Sequence, residues 1–322
     1  ASVREVCYCA RCREAFAAWS KTAHPDLPAA DPREFMQAAT PDAALRAAWL
    51  EFRAMNYAEI FATYRQSMEA YLAEKHPEDR SFWMLVMNAY HRGRDSYHGH
   101  EDYRDSPLYV DSLEDPVMLA KSFEVFSPMI YPDIYANYGP YDMLLPWKDT
   151  LSLRKLVAPR DVAPILTGGY PYSSAYDSDF PSSAMQAQIL EAISGGARGF
   201  GIWGVCPTDA ADLQAVAKAI AKLTPVESIL MEAAPIESLR DVNGQTFVKG
   251  VASEQGAVVL VSDYSTLPKT ARVRYDGLKG SMSVTDLASG KGLGTITPDS
   301  PEFTVELTDD RARLFQLQQK TK

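Results

Sequence analysis

The chain has 322 residues, 46% hydrophobic and 23% charged, with a formal net charge of −10. This is the composition of one large or two ordinary globular domains, and it excludes a wholly disordered, collagen-like or disulfide-stapled chain. An acidic surface does not neutralise phosphates, so the expected partners include no nucleic acid and no membrane surface. No run approaches the ~20 apolar residues that span a bilayer. Residues 1–4 carry no signal-peptide core, and the compartment stays unknown.

The first feature in chain order is Cys7-x-Cys9-x-x-Cys12. Thiols this close in sequence are poorly placed to bridge one another. They suit a soft metal, a structural zinc for example, although a closed zinc site wants four ligands and Cys206 is far away. The alternative is three small thiols buried under a helix start. Residues 13–20 then read as a short helix and residues 25–41, with four prolines, as a loop. Thr40 as N-cap and Pro41 at the first position open a long helix that ends near His76-Pro77.

Four strands follow, alternating with helices. Ser81–Asn88 is a continuous apolar run, the mark of a strand buried on both faces. Phe123–Tyr131, Ala163–Gly168 and Arg198–Trp203 are the second, third and fourth strands. Helices are expected at 116–122, 147–157 and 182–194. A further helix, 209–223, should bury Leu213, Val216, Ala217 and Ile220. From about residue 235 the texture changes to short strands joined by turns such as Asn243-Gly244, Asp276-Gly277 and Ser289-Gly290. That part reads as a small antiparallel β-sandwich.

Strand–helix alternation means a parallel sheet covered by helices, either doubly wound or part of a (β/α)8 barrel. Four units make half a barrel. In a barrel the site lies at the C-terminal strand ends, so the residues after each strand become the candidates. Asp133 follows the second strand, and Asp177 and Asp179 follow the third. Glycosidic-bond hydrolysis needs two carboxyl groups about 5–10 Å apart. The alternatives are a turn-starting Asp133 and a solvated or helix-capping Asp177 and Asp179. Tyr131, Tyr135, Tyr138 and Tyr141 crowd one loop, and Tyr170, Tyr172 and Tyr176 the next. Tyrosine rings stack on the C–H faces of sugars while their hydroxyls bond sugar hydroxyls; equally, they pack loops over a barrel mouth. Asn88, Tyr90 and His91 close the first strand. Trp203 closes the fourth, as a sugar platform or as core. His91, His98 and His100, with nearby carboxylates, read as a metal site, as substrate contacts or as a solvated loop. No G-x-S-x-G elbow, Walker loop or H-E-x-x-H is present, so no cofactor is required beyond the zinc considered above.

Cys7-Tyr8-Cys9-Ala10-Arg11-Cys12-Arg13-Glu14-Ala15-Phe16 resembles the C-x-C-x-x-C-x-x-x-F stretch after the fourth barrel strand of family 42-like glycoside hydrolases, the group of the β-galactosidases. Ser127–Pro132, Gly195–Trp203 and Asp286–Gly290 are similar to later parts of that architecture. The resemblance implies the second half, strands five to eight, of a (β/α)8 TIM-type barrel over residues 1–232, then the β-sandwich over 233–322. It implies a glycosidase acting on O-glycosidic bonds of an oligo- or polysaccharide. The family's acid/base carboxylate precedes the cysteines and has no match here. Its nucleophile, a Glu, ends the seventh strand, where this chain has Ile165-Leu166-Thr167-Gly168-Gly169-Tyr170. A non-catalytic carbohydrate-binding protein, or a metal-dependent hydrolase using the histidine loop, are the other readings. A half barrel exposes its sheet edge and inner face, so the expected partners beyond a carbohydrate are a second copy of the chain or a complementary N-terminal half.

Overall fold

The computed structural model describes residues 7–38, 40, 42–78, 82–91, 99–130, 143–168, 182–203, 210–265 and 267–319. It divides into two units: Ala1–Ala89 with Arg94–Val125, and Tyr90–Gly93 with Phe126–Lys322.

The first unit is mostly helical. It holds α1 (Ala10–Ala23), α2 (Pro32–Gln37), α3 (Ala43–Lys75), most of β1 (Leu85–His91), α4 (Pro107–Ser112) and α5 (Pro116–Leu119). Helix α2 lies inside the stretch expected to be loop. Pro32 stands at its first position, and Asp31 caps it by accepting from the Arg33 backbone N–H at 2.9 Å. The paired Arg33 and Arg13 side chains hold the Asp31 carboxyl below the usual carboxylate range. The cap of α3 is Asp42, not Thr40. Its carboxylate accepts from the N–H groups of Ala44 and Leu45, which an anionic cap does better than a hydroxyl. The end at His76 is as expected. Phe16, Phe35, Leu45, Ala48, Trp49 and Phe52 form the unit's aromatic core.

Strand β1 starts four residues later than expected and is not buried on both faces. Val86 is buried, while Leu85 and Met87 on the alternate face are exposed, as is Trp83 ahead of the strand. Its entry is pinned by Glu124, whose carboxylate accepts from the Met84 N–H at 2.9 Å and pairs with Arg65 of α3.

The second unit starts with a parallel sheet. Its order is the tip of β1, then β2 (Val125–Ile130), β4 (Ile165–Thr167) and β5 (Gly201–Trp203), with the short β3 (Asp161–Val162) beside β2. Met129 pairs with Ile165 and Leu166 with Ile202, both in parallel register. Helix α6 (Leu145–Val157) connects β2 to β3 and β4, and α7 (Ser182–Ser194) connects β4 to β5. These helix–strand alternations make it a half-barrel arrangement of parallel strands. Helix α8 (Ala210–Leu223) follows β5, but its buried face is Asp212, Ala215, Ala219 and Leu223. Leu213 and Ile220, expected inside, are exposed. Alanines on the buried face let α8 approach α7 closely, and that contact outweighs the larger side chains around the helix. Helix α9 (Glu227–Glu232) follows a 3₁₀ turn at Thr224–Val226.

Among the described residues, nine antiparallel strands complete the unit. The first sheet is β13 (Glu302–Leu307), β10 (Lys269–Tyr275) and β7 (Leu239–Asp241). The second is β12 (Gly292–Ile296), β11 (Met282–Asp286), β14 (Ala312–Gln319), β9 (Gly256–Ser262), β8 (Phe247–Ser253) and β6 (Ala234–Pro235). Gly244 and Gly290 take the left-handed backbone that the tight turns require, with φ of 66° and 68°. All of β9 is buried, and its alternation serves two cores. Val258 and Leu260 join Ile189, Leu190 and Ile193 of α7. Ala257, Val259 and Val261 join Val273, Val305 and Phe315 between the sheets.

Candidate functional site

Parallel strands bring their C-terminal ends to one edge of a sheet. Ile130, Thr167 and Trp203 end neighbouring strands; Ile130 pairs with Leu166, one residue before Thr167, and Thr167 pairs with Trp203. The segments expected to carry the chemistry leave from these ends. Asp133, Asp177, Asp179, Tyr131, Tyr135, Tyr138, Tyr141, Tyr170, Tyr172 and Tyr176 all lie outside the described residues, as do His98 and Cys206. Asn88, Tyr90 and His91 are placed on β1 by their backbone only. Trp203 is the residue of the expected binding set whose side chain is described. It is 38% exposed.

Gly168 sits beside Trp203, its N–H donating to the Trp203 carbonyl at 2.9 Å. A Cβ there would lie 2.2 Å from Cγ2 of Ile202 and 3.0 Å from Cε of Met185. The strand end is therefore too close-packed for a carboxylate side chain at this position without displacing Ile202.

One cleft, of about 360 Å³, opens at the start of α7. Ser183 and Gln186 of α7 face Asp309, Asp310 and Arg311 of the turn before β14, with Tyr264 in the wall. Helix α7 follows directly in the chain on residues 169–181, which lie outside the described residues. Sequence reasoning missed this contribution from the antiparallel sheets, because nothing in the spacing of residues 264 and 309–311 brings them to α7.

Beneath the cleft is a buried ionic cluster. Lys249 Nζ lies 2.8 Å from Glu191 Oε2 and donates to Ser262 Oγ at 3.1 Å. The Ser262 and Tyr264 hydroxyls both donate to Glu191 Oε1, at 2.9 and 2.7 Å. Burial and the neighbouring carboxylate push the Tyr264 hydroxyl's pKa well above its ordinary value, so it remains a donor. The cluster ties α7 to β8 and β9, and thereby sets the wall of the cleft.

In the first unit the three cysteines converge. Cys7 Sγ is 3.5 Å from Cys9 Sγ and 3.4 Å from Cys12 Sγ, and all three sulfurs lie within 4.8 Å of one another. Cys9 is the N-cap of α1, and Cys7 takes a left-handed backbone with φ of 69°. Cys7 and Cys9 are exposed, which overturns the alternative of thiols buried under the helix start. The Cys12 backbone N–H at the helix start, then the Cys7 thiol, stabilise the Cys9 thiolate and lower its pKa to about 7. Cys12 is pushed up to about 11, first by its hydrogen bond with Cys7 and then by burial. Neighbouring sulfurs around a tetrahedral Zn²⁺ stand about 3.8 Å apart, so this donor set fits three corners of such a site. Among the described residues it is the one His/Cys/Asp/Glu grouping with metal-site spacing. Of the expected histidine trio, only the His100 side chain is described, and it is half-buried.

No protein-family model matches the chain, and no curated protein matches it. Among solved structures it is similar to a GH27 β-L-arabinopyranosidase from Geobacillus stearothermophilus, with 14% identity, 65% of this chain and 48% of that one covered, and a TM-score of 0.44. It is also similar to a family 5 glycoside hydrolase from Bacteroides vulgatus, with 10% identity, 86% and 67% covered, and a TM-score of 0.45. A GH30 endoxylanase from Clostridium papyrosolvens is 13% identical, with 81% and 72% covered and a TM-score of 0.41. The chain spans about half the length of the arabinopyranosidase. No helix of the described residues is long and apolar enough to cross a membrane.

Proposed function

We propose that the complete protein hydrolyses O-glycosidic bonds of an oligo- or polysaccharide at the C-terminal edge of its parallel sheet. The observation that carries this reading is the neighbouring ends of three parallel strands at Ile130, Thr167 and Trp203, with Trp203 partly exposed at that edge. The segments leaving it bear Asp133, Asp177 and Asp179 together with the tyrosines. In this reading one carboxyl group protonates the leaving-group oxygen, and a second attacks the anomeric carbon or activates water. Trp203, Tyr131, Tyr135, Tyr170 and Tyr172 hold sugar rings by stacking, and Asn88, Tyr90 and His91 bond hydroxyls. The test is turnover of a panel of polysaccharides and aryl glycosides. Asp133→Asn is expected to lower kcat by about 10²–10⁴-fold with KM little changed. Full turnover in Asp133→Asn, Asp177→Asn and Asp179→Asn alike would refute the assignment.

A second reading, sugar binding without turnover, is favoured by one observation, the space lost at Gly168. Carbohydrate binding by calorimetry with no reducing ends released would select it.

For the cysteines we propose a structural zinc, held by Cys7, Cys9 and Cys12 and acting to fix the residue 7–12 segment at the start of α1. One Zn²⁺ per chain should be retained after dialysis and released by a thiol-blocking reagent. Zinc content that is unchanged in the Cys7→Ser/Cys9→Ser/Cys12→Ser variant would place the metal elsewhere.

A further inference from the structure

Cys9 and Cys12 belong to the opening of α1, Cys9 as its N-cap and Cys12 in its first turn. Cys7 comes from the chain ahead of the helix, with the left-handed φ of 69°. Its place is fixed from α3. Arg53 Nη1 donates to the Cys7 carbonyl at 3.4 Å, and the neighbouring Tyr8 ring stacks on Trp49. Cys7 Sγ thereby lies 3.4 Å from Cys12 Sγ and 3.5 Å from Cys9 Sγ.

Spacing along the chain makes a bridge among these thiols a poor expectation, and the folded segment changes that. A disulfide has its sulfurs about 2.05 Å apart, so those of Cys7 and Cys12 have about 1.4 Å to close. Cys7 lies outside α1 and can move without unwinding the helix. Cys7 and Cys9 are only two positions apart, which leaves little chain to absorb the approach, whereas Cys7 and Cys12 are five apart. The sulfurs are also within reach of solutes. Cys7 and Cys9 are exposed, and Cys12 is half-buried. Cys7 and Cys12 line a cleft of about 530 Å³ together with Arg11 of α1 and Arg53 and Asn56 of α3.

We propose that Cys7 and Cys12 are a reversible dithiol, closed to a disulfide by a small hydroperoxide and opened again by an external thiol. One thiolate sulfur attacks a peroxide oxygen, the O–O bond breaks and hydroxide leaves, giving a sulfenic acid. The second sulfur attacks the first, the S–O bond breaks and the oxygen leaves as water. With hydrogen peroxide, two thiols and one peroxide give one disulfide and two waters; the sulfurs are oxidised and the peroxide oxygens reduced. Opening runs through a mixed disulfide with the external thiol, which is itself oxidised. The bridge takes two of the three donors from the proposed zinc site, so metal and bridge exclude one another. The inference rests on the sulfur geometry and holds for metal-free protein whether or not the zinc reading does.

Residues 1–322 carrying Cys206→Ser, stripped of metal with a chelator and treated with limiting hydrogen peroxide, test it. Two thiols per chain should be lost, the mass should fall by two hydrogens, and peptide mapping should join Cys7 to Cys12 with Cys9 free. Dithiothreitol should restore all three thiols. Cys7→Ser and Cys12→Ser should each slow thiol loss at least ~10-fold, and Cys9→Ser should leave the bridge intact. The mapping is read on the chain with all three cysteines, so the result does not hang on how a variant folds. Three outcomes overturn the proposal: oxygen added to the thiols with no bridge formed, a bridge between two chains, or a bridge that joins Cys9 to either partner. A chain that forms the Cys7–Cys12 bridge yet retains no Zn²⁺ when reduced supports the dithiol and overturns the zinc reading alone.

Discussion

Replacing Lys249 with methionine is expected to destabilise the second unit by about 3–5 kcal/mol, the cost of leaving a buried carboxylate without its cation. Both partners are out of water, Lys249 at 3% side-chain exposure and Glu191 at 0%. The ammonium lies over the rings of Trp147 and Phe247, 5.1 and 5.4 Å from their centroids, and these contacts supplement the ion pair. Glu191→Leu should cost a similar amount, because it takes the counter-charge from the buried Lys249 ammonium and the acceptor from the Ser262 and Tyr264 hydroxyls together. The double variant Glu191→Leu/Lys249→Met removes both charges. It should be markedly more stable than the sum of the two single losses predicts, since an ion pair and an apolar pair of similar size are close in energy. Urea denaturation of the four proteins measures the coupling. Single losses that simply add would show that the two groups do not act as a pair.

Trp49→Ala should cost about 3–5 kcal/mol in the first unit, the range for truncating a fully buried large aromatic side chain. Trp49 is wholly buried, stacks on Tyr8 with centroids 5.7 Å apart and meets Phe16 edge-on at 5.2 Å. The Arg53 guanidinium lies 5.6 Å from its ring centroid and also donates to the Cys7 carbonyl. The indole N–H has no acceptor among the described residues, so Trp49→Phe keeps most of the packing and removes an unsatisfied donor. Thermal unfolding should therefore rank Trp49→Phe close to the parent and Trp49→Ala far below it. Tyr8 stands between Cys7 and Cys9, so Trp49→Ala should also weaken zinc retention. A full zinc complement in a destabilised Trp49→Ala protein would show that the cysteine segment holds its shape without this anchor.

Much of the element order was legible in the residues. Helix α7 was readable to the residue because a long run of helix formers ends in Gly195-Gly196. Strand β9 was readable as an uninterrupted apolar run, and the turn at Asn243-Gly244 by its pair of residues that tolerate a left-handed backbone. Local chemistry misled at α2, where Pro32 was read as loop punctuation although Asp31 and Pro32 together start a helix. It misled at the cap of α3, where Thr40 is the expected N-cap and Asp42, two residues on, takes the role with its carboxylate. The short β6, β7 and β12 and the helix α9 carried too few residues to show a period.

What the sequence determined by itself is what depends on neighbours a few residues away: the helices, the strands, the turns and the clustering of Tyr and Asp after the strands. Only the tertiary structure decided which faces are covered. It buried the small side of α8 and left Leu213 and Ile220 outside. It exposed Trp83, Leu85 and Met87 on a strand that reads as core, and it brought Glu191, Lys249, Ser262 and Tyr264 into one cluster. Hydrophobicity states that a side chain gains by leaving water. Which surface it meets is settled by packing between residues 13 to 73 positions apart in that cluster, and spacing along the chain holds no record of such pairs.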